Sequence, residues 1–193
     1  MLTDSAARWM LVLHTALGVA AVGAATHLVI WMRGYLRGEF GRHRAVKKFA
    51  WIALILHACA FLAGNLMYPT YKVEVRAAYL ENAGAILEDR AIHHREVDKI
   101  AIREHTASVE APATTDLVRR AAQAARWFDV KEHWIALGLF ASVGLVLILS
   151  FWDPRKGELR ALSPVVLGLA VVIAGTVWLG AIVGVLTATW RAV

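Results

Sequence analysis

Four runs without a single Asp, Glu, Lys or Arg constrain this chain more than any other feature: Trp9–Met32, Phe49–Tyr71, His133–Trp152 and Ala161–Trp190. Each has the length of about 20 residues that a helix needs to cross a hydrocarbon core of about 30 Å. Lipid offers backbone N–H and C=O groups no partners, so only helices and closed barrels can span it. Barrel strands alternate apolar and polar residues, and these runs do not. The chain is therefore expected to be an all-α membrane protein, a four-transmembrane-helix bundle with spans near 9–32, 49–71, 131–152 and 162–190. A hydrophobic fraction of 59% and a mean hydropathy of +0.53 agree, because soluble domains carry roughly 45–50% apolar residues. The first run is longer than the roughly 7–15 apolar residues of a signal-peptide core, so it reads as a retained spanning helix.

Charge predicts the orientation. Between the first two spans, 33–48 holds six basic residues (Arg33, Arg37, Arg42, Arg44, Lys47, Lys48) against Glu39. The loop 153–160 holds Arg155, Lys156 and Arg160 against Asp153 and Glu158. The long segment 72–132 is nearly balanced, with ten basic and eleven acidic residues. The positive-inside rule then places both short loops in the cytoplasm of a bacterial-type inner membrane, with both termini and 72–130 on the outer side. A net charge of +6 sits mostly at the inner leaflet, where anionic lipid attracts it, and does not mark a nucleic-acid binder.

The 72–130 insertion is too long for a turn and reads as an extended helical segment on the outer face of one membrane domain, 1–193. Helix formers dominate 73–104, and Ser108–Thr115, with Pro112, is the expected break. Thr115 is a candidate N-cap, with Asp116 in the first turn. Leu117, Ala121, Ala124, Ala125 and Phe128 then form an apolar stripe at helical spacing that runs without Gly or Pro into the third span. Pro69 is expected to kink the second helix where it leaves the membrane.

Ionisable residues are expensive in hydrocarbon, so intramembrane histidines are functional candidates by default. His14 and His27 lie on the first span, His57 on the second and His133 at the start of the third. With the orientation above, they sort into an outer pair, His14 with His133, and an inner pair, His27 with His57. Thirteen residues separate His14 from His27, or roughly 20 Å along a helix, a distance suited to electron transfer in two hops. The same spacing rotates the two side chains about 140° apart, so they face different neighbours. Neutral imidazole is a common iron ligand, which makes haem the favoured cofactor.

In layout and in these four residues the chain resembles the small four-helix b-type membrane cytochromes, which hold two haems between helices on paired histidines. The resemblance implies two b haems bound through His14, His133, His27 and His57. It also implies electron transfer, often with oxidation or reduction of a membrane quinone, alongside other membrane or outer-face redox subunits. In many such proteins two helices carry two ligands each, whereas here only the first does. Small residues on that helix, Gly18, Ala21, Gly23 and Ala24, would admit a flat macrocycle or close helix packing.

Near an outer haem, Asn65, Tyr68, Tyr71, Lys72 and Glu132 are a candidate quinone pocket, with Glu132 as proton acceptor; an interfacial aromatic belt explains the tyrosines equally. His93, His94 and His105 stand near Glu96, Asp98 and Glu104, and the spacing of His94 and Asp98 permits a shared metal. His43 reads as part of the basic loop. Cys59, the one cysteine, reads as a packed small residue and excludes covalent c-type haem attachment. Gly180 and Gly184 form a GxxxG pair for helix contact, within the bundle or with another protein. No phosphate loop or nucleophile elbow is present, so a hydrolase is not expected. Two other classes remain open: a haem-free anchor or accessory subunit, and a small proton-coupled transporter using the buried histidines.

Overall fold

The computed structural model describes residues 4–107, 114–155 and 161–188, and among them there is helix and turn but no strand. Five α-helices follow in order: α1 Asp4–Met32, α2 His43–Thr70, α3 Ala83–Arg103, α4 Thr114–Phe151 and α5 Ser163–Ala188. A short 3-10 helix, Arg33–Arg37, follows α1, and a π-helix, Tyr71–Leu80, prolongs α2. Four helical stretches are long and apolar enough to cross a membrane: Ser5–Arg37, His43–Leu80, Thr115–Phe151 and Ser163–Ala188. Their surfaces suit lipid. Phe151 is 90% exposed and Phe140 77%, an arrangement water would penalise and acyl chains would not.

α1 packs against α2 and α5, and α4 against α5 and α2, so the four long helices follow one another round the bundle as α1, α2, α4, α5. Apolar burial alone does not drive helices together in lipid, where close van der Waals packing must do so. The sequence supplies small residues for it. Ala21, Ala24 and Ala25 of α1, Ala50 and Ala53 of α2, and Ala170 of α5 are buried beside Leu28, Leu145 and Leu149. Gly180 faces α4, where an added Cβ would come within 2.5 Å of Ile135 Cδ1. The GxxxG pair therefore serves contact inside the bundle.

The tight core is confined to the half nearest the two short loops. An aromatic and imidazole cluster closes that end. Tyr35 Oη and His43 Nδ1 are hydrogen-bonded at 2.8 Å, and the edge of Trp152 packs on both. His43 is 4% exposed and not a solvated member of the basic loop, which corrects the sequence-based reading. The cause is a reversal at Gly38, whose φ of +76° favours glycine. Its N–H bonds to Tyr35 O, and Glu39 N–H bonds to Gly34 O, turning the chain back over the bundle end.

Toward α3 the packing loosens. No residue from 5 to 20 on α1 is buried, and beyond His57 only Ala63 and Thr70 are buried on α2. A separate small cluster of Leu80, Ile86, Ala121 and Ala125 joins the π-helix, α3 and α4. Asn82 caps α3 by accepting from Ala85 N–H at 3.2 Å. Thr115 and Asp116 fall in the first turn of α4, while 108–113 of the expected break lie outside the described residues. So do Lys156, Glu158 and Arg160 of the second short loop, and the last two residues of the fourth apolar run, 189–190. The chain stays helical through Pro69 and widens into π turns directly after it, the type of local adjustment that accompanies a proline in a helix. Cys59 is exposed on α2, not packed as its size and type suggested.

Candidate functional site

Where α2 widens into the π-helix, its residues meet α4 just before that helix enters its most apolar stretch. Tyr71 stacks on Phe128 with centroids 3.9 Å apart and planes 19° apart, and Tyr68 stacks on Tyr71 at 6.4 Å. Below this stack, Arg76 bridges two carboxylates. Its Nη1 donates to Asp129 Oδ1 at 2.6 Å and its Nε to Glu81 Oε1 at 2.8 Å. Charge-assisted bonds of this kind fix the azimuth of the π-helix against α4. Glu132 lies within electrostatic reach of Tyr71 and of Arg76.

Two hydroxyls at this junction stand without partners. Thr70 Oγ1 and Tyr71 Oη are both buried and make no hydrogen bond. Such groups are rare, because each forfeits the bonds it made to water. They are consecutive in sequence at this junction of the π-helix with α4, here called the mouth, and neither O–H is taken up by a protein acceptor.

One turn along α4, Lys131 turns into the bundle. Its ammonium lies over the Phe128 ring, 5.1 Å from the centroid, and a Cβ at Gly184 of α5 would sit 3.5 Å from Nζ. No carboxylate lies within 4 Å of it among the described residues. His14 of α1 is within reach of the Lys131 charge. It donates from Nδ1 to Ala60 O at 2.9 Å, with Gly64 giving its ring room, since a Cβ there would meet Cε1 at 3.1 Å.

The other sequence-selected histidines are distributed differently. His133 is exposed and donates from Nδ1 to Asp129 O, one turn back on its own helix, at 2.8 Å. Two positions from Lys131 means a rotation of about 200°, so His133 and Lys131 face opposite ways. His27 is exposed at the bundle side, stacked on Phe49 at 6.0 Å with Trp31 edge-on at 5.8 Å. His57 is 2% exposed and turned into the bundle. Its Nε2 donates to Ile135 O at 3.1 Å, and Nδ1 lies 3.5 Å from Ser142 Oγ. Eight residues of α2 separate Phe49 from His57, roughly 12 Å, so the structure does not bring His27 and His57 together. Gly138 makes the His57 contact feasible: an added Cβ would lie 2.8 Å from His57 Cε1 and overlap Thr176 Oγ1.

Of the residues chosen for a quinone pocket, Tyr68, Tyr71 and Glu132 gather at the mouth, whereas Asn65 and Lys72 are exposed. Thr70, Arg76, Phe128, Asp129 and Lys131 were missed. The spacing of Phe128 and Lys131, three apart on one helix face, was the available signal. On α3, His94 Nδ1 pairs with Asp98 Oδ2 at 3.2 Å, and no group of three metal-ligating side chains occurs among the described residues. A hydrogen bond from Lys99 holds the Glu96 carboxyl below its ordinary range, as expected of a solvated ion pair. In comparisons with protein families, curated proteins and solved structures, nothing matches this chain.

Proposed function

We propose that the chain is a multi-pass membrane subunit of a redox complex, handling a quinone or quinol at the mouth between the π-helix and α4. The observation that carries this reading is the pair of unpartnered buried hydroxyls, Thr70 Oγ1 and Tyr71 Oη, beside the Tyr68, Tyr71 and Phe128 rings. A quinone head is a flat ring with carbonyl acceptors at its edges, so it takes stacking on its face and O–H donors at its rim. Oxidation of the quinol releases two protons and two electrons. Glu132, within electrostatic reach of Tyr71, is the first proton acceptor, His14 beyond Lys131 is the second, and the electrons pass to a partner redox subunit. The charge bias of the short loops puts this end, with α3 as a cap, on the outer face of a bacterial-type inner membrane.

The test is binding of a short-chain quinone to the purified full chain, followed by titration calorimetry. Thr70→Val with Tyr71→Phe removes both hydroxyls and keeps the shape, and is expected to weaken binding about tenfold, the cost of about one hydrogen bond to each. Unchanged affinity would end this reading.

Haem is the second reading, favoured by one feature. His14 and His133 each commit Nδ1–H to a backbone carbonyl, leaving Nε2 as the tautomer that iron-ligating histidines use. Bound at His14, haem would supply a one-electron carrier; His133 points away from the Lys131 side of α4 on which His14 lies, so the two would not share one haem within a chain. His57, with both nitrogens turned to α4, and His27, stacked in an exposed position, fit an axial role less well. Extracted haem per chain decides: one b haem that His14→Ala removes and His57→Ala keeps supports it, and none in folded protein ends it.

A further inference from the structure

The opposite end of the molecule holds a third unpartnered hydroxyl, in a setting of different chemistry. A surface cavity of about 340 Å³ opens between the turn after α1 and the start of α5, lined by Tyr35, Arg37, Gly38, Phe40, Ser163 and Pro164. Ser163 is 4% exposed, and its Oγ has no hydrogen-bond partner. Ser163 also opens α5, a helix of 26 residues. The first turn of such a helix carries the positive end of the helix dipole, although Pro164 contributes no N–H to it. Arg37 adds a guanidinium at the wall. Glu39 holds its Nε and Nη2, at 2.9 and 3.3 Å, and Nη1 is left without a bond among the described residues.

A helix N-terminus, a buried hydroxyl donor and an arginine converging on one cavity recognise an oxyanion, and phosphate above all. The cavity's position selects the source. It lies where two long apolar helices end, and Leu36, which lines it, and Val165, next to Pro164, are exposed apolar side chains, 57% and 53%. A free phosphate has no use for that rim, whereas the acyl chains of a phospholipid cover it. The remaining arginines and lysines of 33–48 favour a lipid with net negative charge over a zwitterion. We infer that this cavity is a binding site for the phosphate head of an anionic phospholipid.

Native mass spectrometry of the delipidated full chain tests this with equal amounts of phosphatidylglycerol and phosphatidylcholine. Phosphatidylglycerol is expected to be retained preferentially. Ser163→Ala with Arg37→Gln should cut that preference about tenfold, and Arg42→Gln, an exposed arginine of the same loop that does not line the cavity, should leave it nearly unchanged. Equal retention of the two lipids would overturn the inference. So would a preference that survives the double variant, or one that Arg42→Gln lowers as much, since general charge attraction would then explain it. Displacement of the lipid by an equal concentration of inorganic phosphate would assign the cavity to the free ion and overturn the lipid source. Circular dichroism and monodisperse elution of the double variant establish that it is folded.

Discussion

The bundle is two halves built to different standards. Near the short loops, alanines and leucines of four helices interlock and the end is sealed by Tyr35, His43 and Trp152. Near α3 burial is sparser: no residue from 5 to 20 on α1 is buried, and a small cluster of Leu80, Ile86, Ala121 and Ala125 is joined by ion pairs and an aromatic stack. In lipid this difference has a plain physical cause. Helices adhere only where small residues let backbones approach, and polar contacts take over where they do not. A tightly packed half specifies the fold, whereas a loose half leaves room and unsatisfied donors for a ligand. The candidate quinone mouth is on the loose side, as this logic requires.

The sharpest way to break the contrast lies at the waist between the halves. Gly138 leaves no space for a side chain beside His57 and Thr176, while Gly144, two turns further along α4, has nothing within 4 Å of an added Cβ. Gly138→Val is expected to destabilise by about 3 kcal/mol, at the upper end of overpacking costs. Gly144→Ala is expected to be neutral or slightly stabilising through helix propensity. Thermal melts of the detergent-solubilised variants read both, and equal shifts would mean that the waist is not the tight point assigned to it.

Next in size is the seal of the tight half. Tyr35→Phe removes the hydroxyl and leaves His43 Nδ1 buried without its partner, which costs about 1–2 kcal/mol for an orphaned group. The loss should appear in the global melt, because this end belongs to the main core. Arg76→Ala in the loose half removes bonds to Asp129 and Glu81 from a side chain that is 23% exposed, against carboxylates that are 39% and 44% exposed. Solvent screening reduces that to about 1 kcal/mol. Its effect should be local: faster hydrogen exchange across Tyr71–Leu80 with little change in the global melt. A global loss as large as that of Tyr35→Phe would show the halves to be one cooperative unit.

Much of this architecture was legible in the sequence, for definite reasons. Length and the absence of charge define a spanning helix by themselves, so four spans followed from four runs. The stripe ending at Phe128 likewise marked the buried face of α4, where Ala121 and Ala125 are fully buried. Side-chain partners were less legible, because helical periodicity gives depth and face but not which neighbour occupies that face. His27 and His57 looked depth-matched, yet antiparallel packing sets His27 against Phe49 and His57 against Ile135. The burial of His43 depended on a left-handed Gly38, and a sequence with several loop glycines does not announce which one reverses the chain. Lys131 directly precedes the third apolar run, and only the α5 glycines reveal that its ammonium is admitted to the bundle.

The smallest expected effect concerns pH at the sealed end. Asp153 follows α4 and accepts from Arg155 twice through Oδ1, from the side-chain Nε at 3.1 Å and the backbone N–H at 3.0 Å. These bonds favour the carboxylate, so they hold its pKa below the ordinary aspartate value. A carboxyl with a lower pKa when folded than when unfolded stabilises the fold fully above the unfolded value, about 3.9. That stabilisation disappears as the pH falls through the lower folded value. Asp153 is solvated, so the gain is slight. The melting temperature of the wild type should therefore exceed that of Asp153→Asn by a small constant margin above pH 5, and the two should converge as the pH falls through the lowered folded value. A margin that instead grows on acidification would mean that Asp153 is unfavourable as a carboxylate. The seal would then gain its stability from Tyr35, His43 and Trp152 alone, and the contrast between the halves would rest on packing without electrostatic help.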